Sequence, residues 1–198
     1  MGLGAQGPTA DAAKIPLSPA MLRAMVSKAP ERPLLPQAQD ADLELWMARL
    51  LRLAERIGRC GEVPVAAVLL DQRLRCIGWG SNGRHRRADP LGHAELQALQ
   101  QGARLLGDWR FNHCTLVVTL EPCPMCAGAL IQARVGRVVF GASDAKRGAL
   151  GGCLDLAADP SAHHHLEVRT GILGQRASDQ LAQWFRQRRG SQRSWRQT

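Results

Sequence analysis

The sequence has no long hydrophobic segment. None of its apolar runs approaches the roughly 18–20 residues that a membrane-spanning helix requires. The first 30 residues also lack the apolar stretch of roughly 7–15 residues that is found in secretory signals. They contain little serine and include the acidic Asp11, so they do not resemble a transit peptide either. These absences argue against a membrane protein or an exported one, and they predict a cytoplasmic location.

Cysteines in pairs are also scarce. Four of the six cysteines stand alone in the sequence, namely Cys60, Cys76, Cys114 and Cys153. In a reducing compartment we expect these four to be free thiols, buried as small hydrophobic side chains. Only Cys123 and Cys126 have the spacing of metal ligands.

Acidic residues are the scarcer charged class, with 17 Asp and Glu against 26 Lys and Arg. The net charge of +9 favours an anionic partner. Arg84, Arg86 and Arg87 form one basic cluster, and residues 186–198 contain five arginines and no acid. A charge run alone is usually a solvated surface. Because these clusters flank the candidate site described below, they favour a substrate that carries several phosphates.

The chain divides into three parts by composition. Residues 1–40 contain six of the 11 prolines and are predicted to be a poorly ordered, Pro/Ala-rich N-terminal extension. One short helix is expected there, from Ser18 to Lys28, with Ser18 as its N-cap. Residues 41–190 have the regular pattern of a single domain, and residues 191–198 are predicted to be a basic C-terminal tail.

Hydrophobic periodicity predicts alternating helices and strands in this domain. The predicted helices cover residues 42–57, 93–106, 122–133 and 176–189, and the predicted strands cover 63–70, 74–80, 114–120, 138–140 and 166–170. The first two strands are separated by three residues, so they should pair as a hairpin. The order of elements predicts an α/β fold with a mixed sheet and helices on both faces.

Two short motifs provide a candidate metal site. His93 is followed by Ala94 and Glu95, and Pro122 precedes Cys123 and Cys126. One imidazole and two thiolates supply three ligands to Zn²⁺ and leave its fourth position open, which is typical of catalytic zinc and not of structural zinc. Such an ion lowers the pKa of a bound water molecule, to about 7 in well-studied enzymes. Glu95 is then free to transfer protons, and this pattern is the signature of zinc-dependent base deaminases.

The motifs need a particular local structure. His93 and Glu95 are two positions apart and would diverge in the middle of a helix, so they can share a pocket only at a helix start. Cys123 and Cys126 are three positions apart and lie on one face of a helix. The sequence therefore predicts that two helix N-termini meet at the metal, where their positive dipole ends favour thiolate.

Other interpretations of these residues were weighed. A C-x-x-C pair at a helix start also occurs in thioredoxin-like redox sites, although the upstream histidine and glutamate disfavour that reading here. A closed structural zinc site would need a fourth ligand, for which His113 or Cys114 are the candidates. The run from His163 to His165 resembles a metal-binding tract, but a polar surface turn is the favoured interpretation.

Several further stretches match a known family. They are Glu62 to Val65, Val118 to Ala129, Arg137 to Ala142, Asp144 to Gly148 and Trp184 to Arg189, together with Asn82, Asp89 and Pro90. Over about residues 41–190 the chain resembles the bacterial tRNA-specific adenosine deaminases. The resemblance implies a zinc-dependent hydrolase that converts the wobble adenosine of an arginine tRNA to inosine.

The resemblance also implies a fold, an assembly and further site residues. The fold would be a three-layer α/β/α sandwich of the cytidine deaminase kind, in a homodimer with the RNA across the subunit boundary. Asn82 would hydrogen-bond the flipped purine. The residues matching positions near the bound anticodon nucleotides are Asp144, Lys146, Phe185 and Arg186. For Trp184 we favour packing against the core over stacking on a base.

The chain departs from the family pattern in three places. The N-terminal extension is additional, the loop from Gly83 to Arg87 is more basic than expected, and Pro124 stands where an aliphatic residue is common. Guanine deaminases also tend to have proline at the position of Pro124. A free-base or nucleoside deaminase acting on guanine or cytidine is therefore the alternative. A non-catalytic RNA-binding zinc protein is a third possibility, supported by the basic tail alone.

Overall fold

The structure is a computed structural model that describes residues 40–194, with side chains described for residues 40–189. The predictions for the N-terminal extension, including the helix from Ser18 to Lys28, lie outside the described residues, as do residues 195–198 of the predicted basic tail. Within residues 40–194, no helix is both long enough and apolar enough to cross a membrane.

Five helices and five strands make up the described chain. The helices are α1 (Asp40–Arg59), α2 (Arg84–Arg87), α3 (Ala94–Leu106), α4 (Pro124–Gln132) and α5 (Gly174–Ser194). The strands are β1 (Ala66–Leu70), β2 (Cys76–Ser81), β3 (Thr115–Leu120), β4 (Arg137–Ala142) and β5 (Glu167–Arg169). Every helix and strand predicted for residues 42–189 is present, with shifted ends.

The strands form one mixed sheet in the order β2-β1-β3-β4-β5. β1 pairs antiparallel with β2, which confirms the predicted hairpin, and antiparallel with β3. β3, β4 and β5 run parallel to one another. Because β3 and β4 are parallel, the loops that follow them emerge at the same end of the sheet, and β1 begins at that end.

Helices cover both faces of the sheet. Alternate strand residues separate into two clusters, as expected for a sheet buried on both sides. One cluster joins α1 and Ala177 of α5 to residues such as Val68 and Val139. The other joins α3 and α4 to residues such as Leu69 and Leu116. The predicted three-layer α/β/α architecture is confirmed.

Two glycines in β2 allow α3 to lie directly on the sheet. A Cβ atom at Gly78 would stand 2.2 Å from the carbonyl oxygen of Ala98, and one at Gly80 would stand 2.1 Å from that of Ala94. Any side chain at these two positions would therefore push the helix away. This close approach fixes the start of α3, which carries the candidate site residues His93 and Glu95.

Several element ends differ from the predictions, and one short helix was not predicted. β1 begins at Ala66 and not at Val63, because Pro64 has no N–H to donate to a strand ladder. The segment predicted as a polar loop contains the single-turn helix α2, which ends at Ala88 in the left-handed conformation. α5 continues to Ser194, beyond its predicted end at residue 189, since a glycine inside a helix weakens the helix without having to end it.

The isolated cysteines are free, as predicted, but their burial was only partly predicted. Cys114 is buried and Cys76 is half-buried, whereas Cys60 and Cys153 are exposed. The last two lie outside regular structure, where neighbouring apolar residues in the sequence do not indicate burial.

Candidate active site

The start of α3 places a histidine and a glutamate beside the sheet. His93 is the N-cap residue, with an extended backbone, and Glu95 lies in the first turn. Because the chain changes direction at the cap, the two side chains reach the same region despite their spacing. Glu95 is only 4% exposed, so its carboxyl group lies inside the protein.

The start of α4 supplies the two thiols. Cys123 is its N-cap residue, Pro124 occupies the first turn where no N–H is needed, and Cys126 lies one turn further and is buried. The Nδ1 atom of His93 is 3.7 Å from Sγ of Cys123 and 3.4 Å from Sγ of Cys126. The structure therefore brings the three predicted ligands together at two helix N-termini.

These three side chains fit a zinc ion. Their ligand atoms all lie within 4.8 Å of one another. Bonds of about 2.0–2.3 Å to a tetrahedral zinc ion place neighbouring ligand atoms roughly 3.3–3.8 Å apart. The two distances from His93 Nδ1 to the cysteine sulfurs, 3.7 and 3.4 Å, fall in this range. A group of one imidazole and two thiols is also the donor set that zinc prefers. The group is positioned to bind a metal ion with a fourth position left over.

The three ligand side chains shift one another's pKa values. The pKa of Cys123 is lowered to about 3, first because Cys126 hydrogen-bonds to it and further because His93 does. The pKa of Cys126 is raised, mainly by the same bond to the Cys123 thiolate and by burial. The pKa of His93 is raised by its bond to Cys123. The lowered pKa of Cys123 favours its thiolate, which is the form of cysteine that binds metal.

Glu95 is buried beside the three ligand side chains but is not itself one of the ligands. Burial raises the pKa of its carboxyl group, because the charged form loses its hydration. The cluster of three ligand atoms is complete without it. Glu95 is therefore available for proton transfer at the edge of the metal site.

A second buried glutamate holds Asn82, the residue expected to contact a purine. Asn82 follows β2 and is 6% exposed, and Glu62 is fully buried. Nδ2 of Asn82 donates to Oε2 of Glu62 at 3.0 Å, and the backbone N–H of Arg86 donates to Oε1 at 2.6 Å. One carboxylate thus fixes both the Asn82 amide and the α2 turn.

A third buried glutamate, Glu121, holds the loop that follows β4. Its carboxylate accepts hydrogen bonds from the backbone N–H groups of Asp144, Leu150 and Gly152, at 2.8, 3.0 and 2.8 Å. A Cβ atom at Gly148 would lie 2.2 Å from the carboxyl carbon of Glu121, so the loop wraps tightly around this group. The N–H of Ala149 also donates to the carbonyl oxygen of Pro122, beside the ligand Cys123.

This loop carries two of the predicted substrate-binding residues. Oδ1 of Asp144 accepts hydrogen bonds from the backbone N–H groups of Lys146 and Arg147, which gives Asp144 a structural role in the turn. Lys146 is exposed. The loop is tied to the residue preceding Cys123, so Lys146 lies on a segment that borders the metal site, and its predicted role in RNA binding stays a prediction.

Two further predicted residues lie in a different layer of the molecule. Phe185 is 40% exposed and Arg186 is exposed, both on α5, which packs on the sheet face opposite α3 and α4. The neighbouring Trp184 donates from Nε1 to the carbonyl oxygen of Gly58, at 2.9 Å. This contact at the end of α1 fits the expectation that Trp184 packs within the protein and does not stack on a base. The structure does not bring Phe185 or Arg186 into contact with the metal ligands.

The alternative metal sites are not formed. His113 and Cys114 lie at the other end of β3 from Cys123, and neither belongs to a cluster of three ligand groups among the residues with described side chains. In the run of three histidines, His164 bonds through Nε2 to the carbonyl oxygen of Val135 at 2.9 Å. This contact fits the favoured interpretation of a polar surface turn.

Sequence reasoning did not single out Glu62 or Glu121 as functional. Both were noted only within stretches that resemble the family. A signal was present, because Glu121 directly follows a buried strand and Glu62 directly precedes the strand predicted for residues 63–70. Glutamate is almost never fully buried unless it is paired, so such a residue indicates a specific set of partners.

The comparisons with known proteins agree with this geometry. Residues 40–142 match the model of the cytidine and deoxycytidylate deaminase zinc-binding region. The tRNA-specific adenosine deaminase of Haemophilus influenzae is 44% identical over 146 residues, covering 74% of this chain and 84% of that protein. The chain therefore belongs to the zinc-dependent deaminases, in the family of the tRNA-specific adenosine deaminases.

Solved structures support the same assignment. One, from a study of A-to-I editing by tRNA:A34 deaminases at the wobble position, has 33% identity and a TM-score of 0.66, and the match covers 69% of this chain and 98% of that one. A guanine deaminase from Nitrosomonas europaea has 24% identity and a TM-score of 0.61, with 90% of this chain and 98% of that one covered. At that level of identity the second match shows a common fold alone.

Proposed function

We propose that this protein deaminates the wobble adenosine in the anticodon loop of tRNA, most simply an arginine tRNA, to inosine. One observation carries the proposal: His93, Cys123 and Cys126 converge within 4.8 Å, with the buried Glu95 on the same helix start as His93. The activity of the similar tRNA-specific deaminases supports RNA as the substrate. Water is consumed, the C6 amino group leaves as ammonia, and a C6 carbonyl remains.

Each residue of the pocket has a distinct part in this reaction. His93, Cys123 and Cys126 would hold zinc, which when bound supplies an activated water molecule as the nucleophile. Glu95 would take one proton from the attacking water and pass it to the adjacent ring nitrogen. It would then take the second proton of the same oxygen and pass it to the amine, which leaves as ammonia while the C6 carbonyl forms. One carboxylate can serve as base and then as acid because it is not itself a ligand.

Asn82 is proposed to bind the purine that enters the pocket. Its amide is oriented by Glu62, so its remaining hydrogen-bonding capacity is directed by a fixed partner. An adenosine in an anticodon loop is unpaired, which lowers the free energy needed to move it out of the stack. This makes a tRNA loop a suitable substrate for a pocket that only an extruded base can enter.

The RNA outside the pocket is proposed to meet Asp144, Lys146, Phe185 and Arg186. The first two lie on the loop held by Glu121, whereas the last two lie on α5 in another layer. A homodimer with the RNA across the subunit boundary would allow α5 and the loop to contact one RNA from two subunits. We also propose that the protein acts in the cytoplasm, where tRNA is its substrate.

A free guanine deaminase is the second candidate. Pro124, which lies between the two thiols at the start of α4, favours this candidate because guanine deaminases tend to have proline there. The fold is also shared with a guanine deaminase. The two candidates differ in what they need outside the pocket. A free base requires no phosphate-binding surface, whereas an RNA does.

A comparison of substrates tests the proposal. Zinc-loaded protein would be incubated with an anticodon stem–loop that carries adenosine at the wobble position, and separately with guanine and with cytidine. We expect inosine in the stem–loop, and a loss of about 10²–10⁴-fold in Glu95→Ala with its zinc retained. The exposed Glu55→Ala is the matched control and should keep full activity. Turnover of guanine or cytidine with none on RNA would overturn the proposal, and full activity in Glu95→Ala would overturn the mechanism.

A further inference from the structure

The α2 turn is an exposed, strongly basic surface at the edge of the pocket. Its four residues are Arg84, His85, Arg86 and Arg87, all exposed and none acidic. Among the residues with described side chains, no acidic group forms an ion pair with Arg84 or Arg86. Three guanidinium groups on one turn repel one another, which is unfavourable unless an anion compensates them.

Arg87 is held differently from its neighbours. Its Nη1 atom donates to Oε1 of Gln97 at 3.0 Å, and Gln97 in turn donates to the carbonyl oxygen of Ser81 at 2.8 Å. The Arg87 side chain also packs next to Gly83, where an added Cβ would lie 3.4 Å from it. Arg87 therefore secures the turn to α3 and β2, and this leaves Arg84 and Arg86 to project outward.

The backbone of the turn lies directly against the metal-binding segment. The N–H of Gly83 donates to the carbonyl oxygen of Gly92 at 2.9 Å, and Gly92 immediately precedes the ligand His93. A Cβ atom at Gly92 would stand 3.3 Å from the backbone nitrogen of Arg84. The basic turn and the start of α3 are thus in van der Waals contact.

A single buried carboxylate connects the turn to the residue proposed to bind the base. Glu62 has no exposed surface, and its two oxygens accept from Nδ2 of Asn82 and from the backbone N–H of Arg86. If either end moved, a buried hydrogen bond to the Glu62 carboxylate would be lost, which is unfavourable. The distance from the purine-binding amide to the basic turn is therefore fixed by the fold.

We infer that the α2 turn is a phosphate-binding edge of the active site, with Arg84 and Arg86 contacting backbone phosphates next to the target nucleotide. Glu62 acts as a positioning residue that sets this edge relative to Asn82. The inference rests on the proposed function, since it requires a substrate with phosphates on both sides of the base. Guanidinium groups suit this role because they bind phosphate oxygens in pairs.

Salt dependence of binding tests the phosphate edge. Each phosphate contact to single-stranded nucleic acid contributes about 0.7 to the slope of log affinity against log salt, so Arg84→Ala/Arg86→Ala should flatten the slope by about 1.4. Binding to the stem–loop at low salt should weaken on the order of tenfold for each arginine lost.

A matched variant controls for charge. Arg73→Ala/Arg104→Ala removes two exposed arginines at the other end of the sheet, and it should leave the slope unchanged. An equal flattening in both double variants, or none in Arg84→Ala/Arg86→Ala, would overturn the inference. A wild-type protein that binds the stem–loop without deaminating it would overturn the proposed function instead, while the slopes still decide the phosphate edge.

Glu62→Gln tests the positioning role. The amide can accept only one of the two bonds and presents an N–H to the other donor, so Asn82 and the α2 turn should no longer be fixed together. We expect a flatter salt slope and a lower kcat, with zinc content unchanged. A variant that folds with the slope and kcat of the wild type would show that Glu62 does not position this edge.

Discussion

The two ends of the central sheet differ in whether their acidic side chains are buried or accessible to solvent. The three buried carboxyl groups of the described chain, Glu62, Glu95 and Glu121, all lie at the end where β3 meets the metal ligands. At the opposite end, the acidic groups are partly or fully accessible, as in the ion pair between Arg137 and Glu167. Burying a carboxylate costs free energy unless it is fully hydrogen-bonded. That cost is concentrated at the end that carries the chemistry.

The cysteines of β3 and its flanking loops show the same contrast. Cys123, after the strand, has its pKa lowered to about 3, first by the hydrogen bond from Cys126. Cys114, just before the strand, has its pKa raised to about 11 by burial. The lowered pKa of Cys123 favours a metal-binding thiolate, whereas Cys114 is a buried thiol that packs in the core. The role of a cysteine here therefore depends on the end of the sheet at which it lies and not on its residue type alone.

The largest difference between the two ends should come from removing a thiol at each. Cys126→Ser should lose zinc and at least about 10³-fold of the deaminase activity, because only two good ligands remain. Cys114→Ser should keep a full equivalent of zinc and nearly all activity. Zinc content by mass spectrometry and initial rates give both results. Loss of zinc from the Cys114 variant would indicate that Cys114 is a fourth zinc ligand, as in a closed structural site, and would contradict the difference between the two ends.

The second largest difference should be in the stability cost of replacing a carboxylate at each end of the sheet. Glu121→Gln leaves at least one of the N–H groups of Asp144, Leu150 and Gly152 without its charged acceptor, which should destabilise the fold by about 2–4 kcal/mol. Glu167→Gln removes an exposed ion pair and should cost less than about 1 kcal/mol. Urea unfolding of both variants measures the difference. Equal costs would mean that burial of Glu121 does not matter to stability.

The smallest effect concerns pH and Cys114. Below pH 9 the thiol is protonated in both the folded and the unfolded chain, so it has no effect on stability. Between pH 9 and about 11 the unfolded chain ionises while the folded one keeps its proton, so stability falls as pH rises. Wild type should lose about 1–2 kcal/mol more than Cys114→Ala over that interval, after allowance for solvent screening. Parallel stability curves for the two proteins would show that the raised pKa is wrong.

The pocket was predictable from sequence because its geometry is local. His93 and Glu95 lie in one helix start, as do Cys123 and Cys126, and helix starts follow from short-range rules of capping and proline placement. The meeting of the two helix starts was predicted because one metal ion needs ligands from both motifs. The resemblance to a family then supplied the expectations for Asn82 and the loop after β4.

The edges of the pocket were not predictable in the same way. The partners of Glu62 lie 20 and 24 residues away, and those of Glu121 lie 23 to 31 residues away. No periodicity or spacing in the sequence indicates which backbone N–H groups will surround a buried carboxylate. The α2 turn was missed because it has no apolar face, and helix prediction relies on such a face.

Whether this protein is a wobble deaminase can be decided by incubating the zinc-loaded protein with total bacterial tRNA and sequencing the product to map inosine at each position. We expect inosine at the first anticodon position, in arginine tRNA, and none after incubation with the zinc-retaining Glu95→Ala. Inosine at no position, with free guanine or cytidine consumed by the same preparation, would contradict it.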